Sequence, residues 1–304
     1  MPVVTARARP RASLLGNPSD MYGGAGVAFT FTDFAATVTL TESRAPSIAP
    51  GVLAATWQVF GAGVRDLPPR PPFAVACTTD VPRQVGLAGS SAIAVAFLRA
   101  LHAWYGLCAD ATEIARLALA AEVDVLGIRA GPMDRLAQSH EGLLAMDFAR
   151  PFAPSSTTRL PVALLPPLLI AYDLAPKSSH AVHQPVYERW LRGDAEVRAV
   201  IAEYRPLVAA GIRALRARDG SELRRLANAN FDLRARLFTI RDRDRAMIEL
   251  GRARGAATKF CGSGGAVLAL PADPQDLQPL ALAYAAAGFR TLVPRVEEPV
   301  GEPI

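Results

Sequence analysis

Two glycines and two serines stand directly before a long apolar segment in the stretch "VGLAGSSAIAVAFLRAL". Gly86 and Gly89 allow backbone conformations that other residues rarely adopt. The apolar residues that follow have the spacing of one helix face, and they are Ala94, Phe97, Leu98 and Leu101. A helix that begins at Ser90 or Ser91 points free N–H groups and the positive end of its dipole at the loop, which suits a phosphate. The serines could equally do no more than cap the helix.

Two carboxylates could work beside such a loop. Asp110 and Glu113 have the spacing of a capping box, which predicts that a second helix begins there. Glu122 lies at the edge of the apolar stripe of that helix. There it is either solvated or faces a cleft. Asp134 follows the turn "RAGPM", and a carboxylate near a phosphate can hold a metal or accept a proton from an attacking hydroxyl. Neither carboxylate decides the function by itself.

Two further turns are rich in glycine and polar residues. The first, "KFCGSGGAV", holds Gly262, Ser263, Gly264 and Gly265. A tight turn needs at most two glycines, so three indicate close approach of the backbone to a ligand. The second, "GNPSDMYGG", holds Asn17, Asp20 and Tyr22. It is either a surface hairpin or a loop whose donors and acceptors match sugar hydroxyls.

The charge pattern leaves two interpretations of the basic residues. The 304 residues carry 33 basic and 28 acidic side chains, for a formal charge of +5. Lysine occurs only at Lys177 and Lys259, so almost every basic residue is arginine. This is either a habit of composition or a sign of an anionic ligand. The arginines between 205 and 254 lie among regularly spaced apolar residues, which favours solvated helix faces over nucleic-acid binding.

The cysteine spacing and the lengths of the apolar runs indicate where in the cell the protein is located. Three cysteines without C-x-x-C spacing form neither a disulfide framework nor a zinc site, which indicates a reducing environment. The first twenty residues lack the apolar stretch of a signal peptide, and no run reaches the ~18 apolar residues of a membrane span. The sequence therefore predicts a cytoplasmic protein that binds neither membranes nor nucleic acid.

The order of the predicted elements indicates an α+β fold. The first third consists of short β-rich runs between turns, two helices follow, and a proline-rich tract from 151 to 167 predicts a crossing between domains. A strand, a long helical region from about 186 to 255, and two short strands around an alanine-rich helix complete the chain. Strands and helices do not alternate with the regular spacing of a doubly wound sheet.

Taken in order, these segments resemble the motifs of the GHMP kinase superfamily, which includes galactokinases, homoserine kinases, mevalonate kinases and phosphomevalonate kinases. The three motifs are similar to "PRASLLGNPSD", "PRQVGLAGSSA" and "KFCGSGGAV". Two residues, Ala88 and Gly89, separate Gly-Leu from Ser-Ser-Ala in the second motif, where the superfamily usually has one. This longer loop, together with "AGPMDRLAQ", "GLLAMDF" and "NFDLRARLF", resembles the glucuronokinase branch. The resemblance spans nearly the whole chain.

The resemblance implies a ribosomal-protein-like N-terminal domain over 1–155 and a ferredoxin-like C-terminal domain over 156–304, with ATP and substrate between them. It implies that Asp134 is the catalytic base and that Arg11 is the cation beside the nucleophile. ATP would meet Pro82, Gly86, Leu87, Ala88, Gly89, Ser90, Ser91 and Ala92. Mg²⁺ would meet Ser90, Ser91 and Glu122. The acceptor would meet Asn17, Asp20, Tyr22, Arg129, Lys177, Ser178, Gly262, Ser263, Gly264 and Gly265.

The reaction implied by the branch is ATP-dependent phosphorylation of D-glucuronate at its anomeric hydroxyl, with Mg²⁺ as cofactor, in a monomer or homodimer. The first alternative keeps the fold and changes the acceptor to galactose, a heptose phosphate or mevalonate. A second alternative is a non-catalytic homologue that binds nucleotide or sugar. A third, an arginine-rich nucleic-acid-binding module, would leave the two glycine loops without a role.

Overall fold

The computed structural model describes residues 2–63, 67–108, 110–174 and 180–299, without the side chains of 180–182. Its strands are β1 (Val3–Ala8), β2 (Arg11–Leu15), β3 (Ala25–Thr30), β4 (Ala36–Glu42), β5 (Phe73–Thr79), β6 (Leu143–Asp147), β7 (Thr157–Leu160), β8 (Leu169–Tyr172), β9 (Ala257–Phe260), β10 (Ala266–Leu270) and β11 (Arg290–Leu292). Its α-helices are α1 (Val52–Gly63), α2 (Gly89–Tyr105), α3 (Ala111–Ala120), α4 (Met133–His140), α5 (His180–Leu191), α6 (Ala195–Ala217), α7 (Gly220–Leu237), α8 (Asp242–Ala253) and α9 (Leu277–Ala286). Within these ranges, no helix combines the length and the apolar character that a membrane span requires.

The strands form three antiparallel sheets within the described ranges. Their orders are β1-β4-β5, β2-β3-β6-β7 and β11-β8-β10-β9. Helices α1, α2 and α3 pack with the first sheet around one core. Helices α6, α7 and α8 join the second and third sheets in a larger core, and α4 covers a small one beside β6. This arrangement confirms the predicted α+β class.

Helix α2 begins at the glycine loop, as the sequence predicts. The side chains of its predicted buried face are fully inaccessible to solvent, and they are Ala94, Phe97, Leu98 and Leu101. Ala88, immediately before the helix, has a left-handed backbone with φ of 61°. Gln138 supports that conformation, because its side-chain amide donates a hydrogen bond to the Ala88 carbonyl at 2.9 Å. The loop geometry is therefore fixed partly by α4.

Helix α3 begins with the predicted cap but without the full capping box. The Asp110 carboxylate accepts hydrogen bonds from the backbone N–H groups of Thr112 and Glu113. The Glu113 side chain does not return to the cap, because it forms an ion pair with Arg116 at 2.6 Å. Glu113 therefore stabilises the exposed face of the helix through an i,i+3 ion pair and does not contribute to the cap.

Two segments differ from the prediction. Val52–Gly63 forms α1, although the first third was expected to contain only strands and turns. This helix buries Leu53, Ala55 and Phe60. The proline-rich tract is not simply a crossing, since β7 lies within it and pairs with β6. The four residues of β7 carry no proline, so their N–H groups remain available for the ladder.

The two predicted domains contact each other, because residues before and after the predicted boundary at 155 pack into the same core. The larger core contains side chains of β2 and β3 together with side chains of α6, α7 and the third sheet. The chain after β11 also returns to the first half. There, the Arg295 N–H donates to the Asp33 carboxylate at 2.8 Å, and the Arg295 carbonyl accepts from the Thr32 N–H at 2.9 Å. The boundary itself stays a prediction.

Candidate active site

A cavity of about 750 Å³ lies where the two glycine loops, β2 and the start of α4 meet. The predicted site residues that line it are Arg11, Asn17, Asp20, Pro82, Gly86, Leu87, Ala88, Gly89, Ser90, Ser91, Glu122, Arg129, Asp134, Gly262 and Ser263. The residues Tyr22, Ala92, Gly264 and Gly265 do not line it. Lys177 and Ser178 lie outside the described residues. The fold thus gathers four distant segments of the chain around one space.

The two glycine loops lie directly against each other. Gly86 has φ of +79°, and a Cβ atom there would collide with the Gly264 carbonyl. A Cβ atom on Gly262 would collide with the Gly86 carbonyl and would lie 2.7 Å from the Arg11 guanidinium. Only glycine allows this approach. The first residues of α2 face the cavity beside this contact, and the N–H groups of a first helical turn have no partner within the helix.

Arg11 joins both glycine loops to a carboxylate. Its Nε donates to Asp134 Oδ1 at 2.7 Å, and its Nη1 donates to the carbonyls of Gly86 and Cys261, both at 2.9 Å. The residue is 4% exposed. Because three acceptors orient the guanidinium, its charge is held at a fixed position beside Asp134.

Asp134 is half-buried and remains ionised at neutral pH. Burial raises the pKa of its carboxyl, but the charges of Arg11 and Arg135 and the Arg11 hydrogen bond together outweigh burial and hold the pKa below the ordinary aspartate value. Asp134 also lies in the first turn of α4, where the helix dipole favours a negative charge. Its Oδ2 lies 3.8 Å from Arg135 Nη1. This oxygen can accept a proton from a nearby hydroxyl.

Glu122 is buried at the cavity wall, so the solvated interpretation of this residue is wrong. It is 2% exposed and lies in the π-helical turn Ala121–Val125 that continues α3. Its Oε2 accepts hydrogen bonds from Ser91 Oγ at 3.1 Å and from Arg135 Nε at 2.8 Å. Arg135 Nη2 contacts the same oxygen. Two of the predicted metal ligands, Ser91 and Glu122, are therefore in direct contact.

A second group of polar side chains lines the cavity beside the third glycine motif. Asn17 Nδ2 donates to the Gly262 carbonyl at 2.9 Å, while its buried Oδ1 has no hydrogen-bond partner among the described residues. Asp20 accepts from the Met133 N–H at 3.3 Å. Burial and the neighbouring Asp134 charge raise the pKa of Asp20 to about 6, against the opposing effects of that N–H and of nearby arginines. These groups suit a ligand rich in hydroxyls.

Of the predicted acceptor residues Arg129 and Tyr22, the first lines the cavity and the second does not. Arg129 lines the cavity from the loop before α4, and its Nε donates to Gln184 Oε1 at 3.1 Å. Its guanidinium lies 5.0 Å from the ring centre of Tyr187. Tyr22 packs behind the wall, with its ring 5.2 Å from that of Trp190.

Residues 52–142 match the N-terminal domain of GHMP kinases, and residues 212–289 match their C-terminal domain. The chain is 34% identical to glucuronokinase 1 of Arabidopsis thaliana over 95% of this chain and 90% of that protein. The chain belongs to the GHMP kinase family. Probable glucuronokinase 2 of the same plant is 35% identical over 93% of this chain and 88% of its own length. The structure of Lactococcus lactis galactokinase complexed with galactose has a TM-score of 0.79 at 15% identity, covering 97% and 93% of the two chains, which confirms the fold.

The residues of this GHMP kinase fit a magnesium ion bound together with nucleotide phosphates. Mg²⁺ takes oxygen ligands and usually binds one or two carboxylates alongside phosphate oxygens and water. Ser91 and Glu122 supply a hydroxyl and a carboxylate. The hydrogen bonds that the described side chains donate to the Glu122 carboxylate go to Oε2, which leaves Oε1 for a cation. No group of three His, Cys, Asp or Glu side chains forms a metal cluster in the described part of the chain.

Sequence reasoning missed three side chains at the site of this GHMP kinase. Arg135 holds Glu122, Gln138 holds the Ala88 carbonyl, and Arg234 lines the cavity from α7. Arg135 directly follows Asp134 in the sequence, and Arg234 lies within "NFDLRARLF". In a chain so rich in arginine, residue type alone does not separate these positions from solvated ones.

Proposed function

We propose that this GHMP kinase transfers a phosphoryl group from ATP to the anomeric hydroxyl of D-glucuronate, giving glucuronate 1-phosphate and ADP. The observation that carries the proposal is the Arg11–Asp134 pair, fixed where the two glycine loops meet. Phosphoryl transfer depends on positioning and on cancellation of charge more than on covalent help from the protein. The plant relatives named as glucuronokinases support the choice of acceptor.

In this proposal, the triphosphate lies against the start of α2. The unpaired N–H groups and the dipole of that helix attract anions, and Gly89, Ser90 and Ser91 all line the cavity there. Mg²⁺ held by Ser91 and Glu122, with Ser90 adjacent, would neutralise charge on the phosphates. Arg135 keeps the Glu122 carboxylate in place.

Asp134 accepts the proton of the attacking hydroxyl. Because its pKa is held below the ordinary value, it is a weak base in the ground state. Proton transfer therefore follows formation of the new O–P bond, when the hydroxyl has become acidic, as a loose transition state allows. Arg11 holds the Asp134 carboxylate beside the acceptor hydroxyl and adds positive charge near the transferring phosphoryl group.

The sugar lies beside the third glycine motif. The unpartnered Oδ1 of Asn17 and the carboxyl of Asp20 accept hydrogen bonds from sugar hydroxyls, while Gly262 and Ser263 shape the wall. The carboxylate of glucuronate needs a cation or several donors. The sequence predicts Arg129, Lys177 and Ser178 as partners of this carboxylate.

A panel of acceptors tests the proposal. The protein is mixed with Mg²⁺, ATP and D-glucuronate, or with galacturonate, galactose, glucose or mevalonate, while ADP release is followed and phosphorus NMR identifies the product. A new anomeric phosphate from glucuronate supports the proposal. Turnover of neutral sugars or mevalonate alone selects another acceptor. Binding of ATP without turnover of any acceptor favours the non-catalytic alternative.

The proposal includes a cytoplasmic location and a monomeric or homodimeric state. What supports this location is the sequence, whose three cysteines lack the C-x-x-C spacing and the even number of a disulfide framework. Light scattering on the purified protein measures the number of chains.

A further inference from the structure

Arg234, in α7, is a buried cation without a counter-ion. Its side chain is 1% exposed and lines the cavity. Nη1 donates to the Gly262 carbonyl at 3.3 Å and Nη2 to the Ser263 carbonyl at 3.2 Å. Its Nε is buried and has no hydrogen-bond partner among the described residues. No carboxylate in the described ranges forms an ion pair with this guanidinium.

The other two buried arginines of the cavity, Arg11 and Arg135, each have a carboxylate partner. Arg11 is paired with Asp134 at 2.7 Å, and Arg135 is paired with Glu122 through two of its nitrogens. Burial lowers the pKa of Arg234 against weaker opposing effects from more distant groups, so the environment disfavours its charge. A buried charge is costly unless it is paired. An anion brought by a ligand would supply the missing partner.

The position of Arg234 indicates which ligand that is. Its Nη1 shares the Gly262 carbonyl with Asn17 Nδ2, so the guanidinium lies among the residues assigned to the acceptor sugar. The charges of Tyr22 and Asp20 are close enough to oppose the lowering of the Arg234 pKa by burial, and Arg234 in turn opposes the raising of the Tyr22 pKa. The triphosphate, by contrast, is assigned to the start of α2.

We propose that Arg234 binds the carboxylate of the acceptor and selects a uronate over the neutral sugar. This inference rests on the proposed function and replaces Arg129 as the carboxylate partner. A guanidinium has five N–H donors. Two of them hold glycine-loop carbonyls, and the second N–H groups of Nη1 and Nη2 form the end-on fork that a carboxylate accepts.

The surroundings of Arg234 orient this fork before the ligand arrives. Its guanidinium lies 4.8 Å from the ring centre of Phe238 and 5.2 Å from that of Phe260. These rings and the two carbonyls restrict the side chain, which lowers the entropy lost on binding. Arg129, in contrast, is exposed and contacts Gln184 at the protein surface. A neutral sugar offers this guanidinium no anion and gains nothing from it, whereas a uronate gains the charge pair, and this difference produces the selectivity.

The test compares Arg234→Met and Arg234→Lys with Arg236→Met. Arg236 lies on the same helix and pairs with Glu203 at the surface at 2.7 Å, so it controls for loss of an arginine from α7. The measured quantity is kcat/KM for D-glucuronate and for D-glucose, which differ at C6. We expect Arg234→Met to lower the glucuronate value by roughly 10- to 150-fold, the range for hydrogen bonds to charged groups, and to leave the glucose value unchanged.

The lysine variant keeps the charge and loses the fork, so we expect an intermediate loss. Arg236→Met should leave both values unchanged. Calorimetric binding of ATP and of glucuronate to each variant separates a lost contact from a damaged fold. If Arg234→Met does not fold, the ratio of the two kcat/KM values in Arg234→Lys decides the question.

Three outcomes would overturn the inference. Equal losses with both sugars in Arg234→Met would mean that this side chain only supports the glycine loop. Loss of selectivity in Arg129→Met, with selectivity retained in Arg234→Met, would assign the carboxylate to Arg129 and leave the proposed function intact. A wild-type protein that phosphorylates glucose but not glucuronate would contradict the proposed function and the inference together.

Discussion

At the scale of the residue, the proposed reaction depends on Asp134, a carboxylate whose pKa is kept low. We expect Asp134→Asn to lower kcat by ~10²–10⁴, the range for general-base catalysis, because an amide cannot accept the proton. ATP affinity should stay close to that of the wild type. Asp124→Asn is the matched control, since Asp124 is an exposed carboxylate that does not line the cavity. ADP-release kinetics and calorimetry measure both quantities, and full activity in Asp134→Asn would remove this residue from the mechanism.

Asp20 is the opposite case, because burial and the Asp134 charge raise its pKa from 3.8 to about 6. Between these values, the folded protein holds a proton that the unfolded chain has released. The free energy of unfolding therefore falls as pH rises through this window, by about 3 kcal/mol in total. Asparagine carries no charge at either pH, so we expect Asp20→Asn to raise the free energy of unfolding by up to about 3 kcal/mol at pH 8 and by very little at pH 4. Urea unfolding followed by circular dichroism tests this, and equal effects at both pH values would contradict it.

At the scale of the element, the two glycine loops must touch for the start of α2 to face the cavity. Gly86→Ala places a methyl group against the Gly264 carbonyl and should therefore lower kcat/KM for ATP at least tenfold, a change of about 1.4 kcal/mol. Gly255→Ala is the matched control, since Gly255 has a similar φ of +76° and no atom within 4 Å of the added carbon. It carries the same backbone strain, of about 1 kcal/mol. Equal ATP kinetics in the two variants would mean that loop contact is not needed.

The elements also show what the sequence could and could not predict. Helix α2 and the glycine loops have local signals, since periodicity and glycine spacing do not depend on distant partners. Helix α1 was missed because alanines and other apolar residues run around it without a clear stripe. The roles of Gln138 and Arg234 depend on contacts with carbonyls of other segments, at Ala88 and Gly262. Such contacts exist only once the chain has folded, and no local pattern encodes them.

At the scale of the whole molecule, both halves contribute to one core, so we expect them to unfold together. Leu15 of β2 packs so closely on α6 that a Cβ atom on Gly211 would collide with it. Gly211→Ala should therefore lower the free energy of unfolding by about 1–3 kcal/mol, although alanine is the better helix former. Gly61→Ala in α1 is the control, because the added carbon meets no atom within 4 Å. It should raise the free energy of unfolding by roughly 0.5–1 kcal/mol.

Tryptophans in both halves report whether these variants act on one transition. Trp57 and Trp104 lie in the first half and Trp190 in the second. Fluorescence of each tryptophan, isolated by replacing the other two with phenylalanine, should follow the same curve as circular dichroism, and the calorimetric and van't Hoff enthalpies should agree. Gly211→Ala then lowers the midpoint of that curve and Gly61→Ala raises it. Two transitions, each moved by only one variant, would instead mean that the halves fold independently and that the cavity can open while both remain folded.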